Sequence, residues 1–75
     1  MSKRDRALTA LGKNVRKRRI ALKLSQQRLA AKADLDRSYV SDIERGVRNP
    51  SLLILACIAG ALRTTLTHLF EGIDR

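Results

Sequence analysis

Arg37, Ser38, Ser41 and Asp42 recur at the one-, three- and four-residue steps that bring side chains onto one face of a helix. Together they offer a guanidinium, two hydroxyls and a carboxylate. A guanidinium presents parallel N–H donors that match the O6 and N7 acceptors on the major-groove edge of guanine, so Arg37 is the leading candidate for base readout. Ser38 and Ser41 have the reach for a base or a phosphate oxygen. Asp42 has two open readings: it accepts from cytosine N4, or it holds a neighbouring cation, because a carboxylate close to phosphates is usually unfavourable. A second set suits the sugar–phosphate backbone. Gln26 stands at a helix N-terminus, where its amide and the partial positive charge of the helix favour a phosphate. Arg16, Arg18, Tyr39, Arg48, Asn49 and Ser51 complete that set, Tyr39 through its hydroxyl. For any single basic residue here, a solvated helix face competes with a phosphate contact.

These side chains need two short helices in a fixed relation. The stretch from Ser25 to Glu44, SQQRLAAKADLDRSYVSDIE, supplies them. Ser25 and Asp36 are N-cap residues. Ala30 is small where crossing helices come close, and Asp34 tolerates the left-handed backbone that a tight turn requires. Leu29, Ala33, Leu35, Val40 and Ile43 form the inward apolar set. The pattern is a helix-turn-helix, with its second helix running from Asp36 to about Arg45.

The rest of the chain frames that pair. Residues 1–6, MSKRDR, lack an apolar pattern and are expected to form a loose basic arm ahead of a single domain over 7–75. Leu8, Leu11, Val15 and Leu22 lie on one stripe of a first helix that ends near Ala21 to Lys23. Gly46 closes the second helix of the motif, Pro50 stiffens the following turn, and Ser51 caps a helix from Leu52 to about Leu62. In that helix Leu52, Leu55, Ile58, Ala59 and Leu62 are expected on the core side. Leu53, Ile54, Cys57 and Gly60 make the other side apolar as well, and a helix apolar nearly all round is covered on both faces. A second copy of the chain is the simplest cover. Leu53, Ile54, Cys57, Leu66 and Phe70 are the candidate dimer contacts, within dimerisation helices at about 51–71. Thr65 caps the short last helix, ended by Gly72, and His68 has no second ligand spaced for a metal site.

Composition narrows the classes. Seventy-five residues hold one core, and the aliphatic, alanine-rich composition with 3% aromatic content favours an all-α bundle. Sixteen Lys plus Arg against seven Asp plus Glu give a net charge of +9, a polyanion-binding balance. One cysteine forms no internal disulfide, which fits a reducing cytoplasm, and neither a membrane-spanning run nor a signal peptide is evident. No nucleophile–base pair, metal-ligand cluster or phosphate-cradling glycine loop points to catalysis or a cofactor. A protein-interaction module would use the apolar face but not the charge. A membrane-surface binder would use the basic stretch but needs an exposed apolar stripe, whereas Leu11 and Val15 read as core.

From Leu11 to Gly72 the chain resembles the lambda-repressor-like, Cro-type helix-turn-helix family of phage and bacterial regulators. The residues that carry the resemblance are LGKNVRKRRIALKLSQQRLA, LDRSYVSDIERG, RNPSLLILACIAGAL and LTHLFEG. Within the family, LDRSYVSDIERGVRNPS looks most like controller proteins of restriction–modification systems. The resemblance implies a compact five-helix domain and a homodimer that regulates transcription, each subunit reading one half of a palindromic duplex operator. Gln26 would sit on phosphate, with Arg37 and its neighbours on bases. It further implies an ion pair between Arg19 and Glu44, two dimers on one operator and RNA polymerase as further partners to test, and a cytoplasmic, nucleoid-associated location. A phage-type repressor or an antitoxin-like regulator shares the same DNA chemistry. Family members commonly carry glycine where this chain has Lys23 and Asp34, so both turns are expected to hold a side chain at positive φ.

Overall fold

Helix starts follow the hydroxyl residues. In a computed structural model, which describes residues 1–74, five helices run in the order α1 (Lys3–Ala21), α2 (Gln26–Ala33), α3 (Arg37–Glu44), α4 (Leu52–Ala61) and α5 (Leu66–Leu69). Ser2, Ser25, Ser51 and Thr65 each stand at an N-cap, with a side-chain oxygen accepting a backbone N–H from the first turn. Asp36 also occupies an N-cap but makes no side-chain cap bond. The cap at Ser2 corrects the expected loose arm over residues 1–6. Its hydroxyl accepts from the Asp5 N–H at 3.0 Å, and Asp5 adds a negative charge to the positive end of the helix, so α1 begins at Lys3.

Helix ends share one device. Lys23, Asp34 and Arg63 have φ of 58°, 58° and 55°, and Gly46 has 75°. After each of them the next N–H bonds back to a carbonyl five residues earlier: Leu24 to Arg19, Leu35 to Ala30, Val47 to Asp42 and Thr64 to Ala59. This closure satisfies carbonyls that the helix leaves without partners. Lys23 and Asp34 thus do hold left-handed backbone, and Arg63 adds a third side chain in that conformation.

The core lies where the helices converge. Leu11 and Val15 of α1 meet Leu29, Ala30 and Ala33 of α2, Val40 and Ile43 of α3, Leu55, Ile58 and Ala59 of α4, and Leu62 and Leu69 beyond them. Leu35, Leu22 and Tyr39 pack against its edge. Leu52 departs from expectation. It is 66% exposed, on the outer side of the first turn of α4, whereas Ile54 packs against the core and Leu55 is the first residue of α4 buried in it.

Gly12 sets the distance between α1 and α3. A Cβ there would fall 2.5 Å from the Ile43 carbonyl oxygen and 2.6 Å from that of Glu44, both backbone atoms that cannot swing away. Gly12→Ala must therefore separate α1 from α3. We expect a loss of about 1–3 kcal/mol in thermal or urea unfolding. A variant melting with the wild type would contradict this packing.

Candidate nucleic-acid interface

α3 is fixed from beneath and open above. Val40 and Ile43 are buried, while Arg37 and Ser38 are exposed and Ser41 is half-buried. The fixing has an ionic component. Arg19 of α1 donates from Nε to Glu44 Oε2 at 2.6 Å and from Nη2 to Oε1 at 3.0 Å, while its Nη1 donates to the Leu24 carbonyl at 2.8 Å. The side chains are 11% and 2% exposed. The hydrogen bond to Glu44 raises the Arg19 pKa, against the opposing pull of burial, so the cation is permanent. The pair implied by the resemblance is present, and it ties the last residue of α3 to α1.

The link continues outward. Glu44 Oε1 also accepts from Gln26 Nε2 at 3.1 Å, and Gln26 Oε1 accepts from Arg37 Nη1 at 3.2 Å. Gln26 thus stands at the start of α2 beside the first residue of α3, bringing the expected phosphate and base contacts together.

Of the two readings of Asp42, the structure favours the cation holder. One carboxylate oxygen accepts from Arg45 Nη2 at 2.9 Å, and the other lies 3.5 Å from Arg48 Nη2. The Arg48 guanidinium also sits 4.4 Å from the centroid of the Tyr39 ring, a cation–π geometry. Asp42 therefore gathers two arginines on the α3 face instead of presenting a free acceptor. Arg16 and Asn49 are exposed. The Ser51 oxygen accepts the Ile54 N–H at 3.2 Å, which leaves its hydroxyl proton to donate.

Arg18 is a correction. Its Nε donates to the Leu62 carbonyl and its Nη2 to the Arg63 carbonyl, both at 3.0 Å. The guanidinium closes the C-terminal end of α4, where unpaired carbonyls attract a cation, and is not free for a phosphate. Three contributors were not singled out by the sequence reading. Asn14 donates from Nδ2 to the carbonyls of Leu69 and Glu71, both at 2.8 Å. Its signal was a lone amide on a helix crowded with lysine and arginine. Arg45 was detectable from its three-residue spacing to Asp42. Gly12 gave no local signal, since its role depends on α3.

The apolar side of α4 stays uncovered. Leu53 is 75% exposed, Leu52 lies beside it, and Cys57 and Gly60 continue the strip. Phe70 is partly exposed, whereas Ile54 and Leu66 turn mainly toward the core. Among the described residues, no helix is long and apolar enough to cross a membrane and no His, Cys, Asp or Glu cluster fits a metal ion.

Comparison with known proteins agrees with this geometry. A family model described as helix-turn-helix matches residues 15–69. The control protein C.MunI of a Mycoplasma species is 50% identical over 52 residues, covering 69% of this chain and 70% of that protein. The restriction–modification controller protein C.AhdI of Aeromonas hydrophila superposes with a TM-score of 0.82 at 44% identity, over 84% of this chain and 96% of that one. The controller protein C.Esp1396I, solved as a tetramer on its natural 35 base-pair operator, gives 0.80 at 33% identity over 89% of each chain.

Breaking the ion pair from one side strands a buried charge. Glu44→Ala is expected to cost about 3–5 kcal/mol, a large part of the stability of so small a domain. The double variant Arg19→Met, Glu44→Leu should recover much of that loss in denaturant unfolding. Additive losses in the double variant would contradict a coupled pair.

Proposed function

Because the chain belongs to the lambda-repressor-like helix-turn-helix family, we propose that it is a duplex-DNA-binding transcriptional regulator acting as a homodimer on a two-fold symmetric operator. The observation that carries this reading is the N-terminal turn of α3. Arg37 stands exposed there beside Ser38, with Gln26 at the start of α2 next to it. Arg37 grips a guanine, and Ser38 and Ser41 contribute base contacts. Gln26, Arg16, Tyr39, Arg48, Asn49 and Ser51 follow the sugar–phosphate backbone.

Charge supports the same reading. Among the described residues only Arg19, Arg45 and Arg48 are in ion pairs. Apart from Arg18, whose guanidinium caps α4, the other described cations are open to phosphates and to displacing their counterions, so log affinity falls linearly with log salt concentration.

The uncovered strip of α4 suits a second copy, because a two-fold interface brings the same patch of each subunit together. Leu53 and Cys57 form its centre, with Phe70 and the outer edges of Ile54 and Leu66 around them. The role we propose is that of a restriction–modification controller, as the names of C.MunI and C.AhdI suggest. Two dimers on one operator follow by analogy with the C.Esp1396I assembly. A site overlapping a promoter blocks RNA polymerase, and an adjacent one allows contact with it. Such work places the protein in the cytoplasm, on the nucleoid.

Selection of bound sequences from a random duplex pool, with Arg37→Ala in parallel, tests the reading. The expected product is a two-fold symmetric motif whose half-site centres lie about 34 Å apart, with guanine preference lost in the variant. An unstructured pool whose binding merely fades with salt would overturn it. Leu53→Glu is expected to shift sedimentation from dimer to monomer and to weaken operator binding by at least about tenfold, since a charge in an apolar contact is left unpaired. A dimer unaffected by that change would place the contact elsewhere.

A further inference from the structure

Gln26 uses both ends of its amide. Its Nε2 donates to Glu44 at 3.1 Å and its Oε1 accepts from Arg37 at 3.2 Å. Only this orientation is workable, since the reverse would set a carbonyl oxygen against a carboxylate and an NH2 group against a guanidinium. Glu44 has little freedom to adjust. Its other oxygen is 2.6 Å from Arg19 Nε, and its side chain is 2% exposed. Arg19 is itself held by the Leu24 carbonyl. From core to surface the order is thus cation, anion, amide dipole, cation, with each member fixing the next.

We infer that Glu44, acting through Gln26, is a positioning residue for Arg37. The buried pair sets the polarity of the Gln26 amide, and the amide holds Nη1 of Arg37. The Nε and Nη2 edge then remains unengaged, and that edge carries the two parallel donors a guanine requires. A tethered arginine has also given up part of its torsional freedom before DNA arrives, which removes part of the ordering cost of binding. The buried pair accordingly contributes to discrimination between sequences as well as to stability. For its DNA half, this inference rests on the proposed base contact of Arg37. The relay itself is a property of the free protein.

Two measurements separate those halves. The first is nitrogen relaxation and side-chain amide exchange in the free protein by NMR. The Gln26 Nε2 protons are expected to exchange slowly with water, and the Arg37 Nε–H to be ordered. In Gln26→Met, which keeps the buried pair and so the fold, the order at Arg37 should drop. Fast amide exchange, or equal order in both proteins, overturns the relay.

The second compares affinity for the operator with affinity for the same duplex lacking the contacted guanine. Gln26→Met is expected to lower that ratio by about threefold to tenfold when Arg37 is present, and to leave it unchanged in the Arg37→Ala background. A Gln26 that only touches phosphate would weaken both duplexes alike, which overturns the positioning role. If Arg37→Ala leaves the ratio at its wild-type value, the base contact itself is wrong and the discriminating role falls with it. An ordered Arg37 that discriminates equally well without Gln26 overturns the relay alone.

Discussion

Arg19 ties α1 to α3 and to the turn before α2 with one guanidinium. It leaves α1, closes on Glu44 at the end of α3, and donates to the Leu24 carbonyl just before α2. Removing two charges from water is costly, and the cost is offset here because each nitrogen of Arg19 donates a hydrogen bond and both oxygens of Glu44 accept one. Gly12 makes the arrangement possible by letting α1 approach the carbonyls of Ile43 and Glu44 closely. Contact without a Cβ and an ion pair at the same helix end together locate α3 more firmly than apolar packing alone, which tolerates sliding. A helix that presents side chains to base edges needs that firmness, because hydrogen bonds weaken steeply with misalignment.

The outer face of α4 is built differently. α4 contributes Leu55, Ile58 and Ala59 to the core and leaves Leu53, Cys57 and Gly60 outside it. A domain of this size buries a modest share of its surface, so association through α4 would add to its stability. The two sides then answer to different forces. Ionic pairing places α3, while apolar burial would set the spacing between its copies.

Much of this was legible in the sequence because its signals are local. Hydroxyl caps at Ser25, Ser51 and Thr65 marked helix starts, and the apolar steps marked the inward faces. Turn conformation at Lys23 and Asp34 followed from comparison with glycine-bearing relatives and was present. What failed was tertiary. Arg18 looked like one more cation on a basic helix, and only the position of the α4 terminus reveals its role as a cap. Leu52 fits the apolar period of α4, yet it stays exposed at the start of that helix. Ser2 was passed over because the residues after it lack an apolar stripe, although a cap and an acidic first turn suffice to start α1. At the interface, residue types identified the candidates, whereas the links among Glu44, Gln26 and Arg37 required coordinates.

Whether α3 enters the major groove is decided most directly by methylation interference on a selected operator. Dimethyl sulfate marks guanine N7 in the major groove and adenine N3 in the minor groove. Placement of Arg37 against guanine requires interference at one symmetric guanine in each half-site, and loss of that interference in Arg37→Ala. Interference confined to adenines, or guanine interference that persists in the variant, would contradict it.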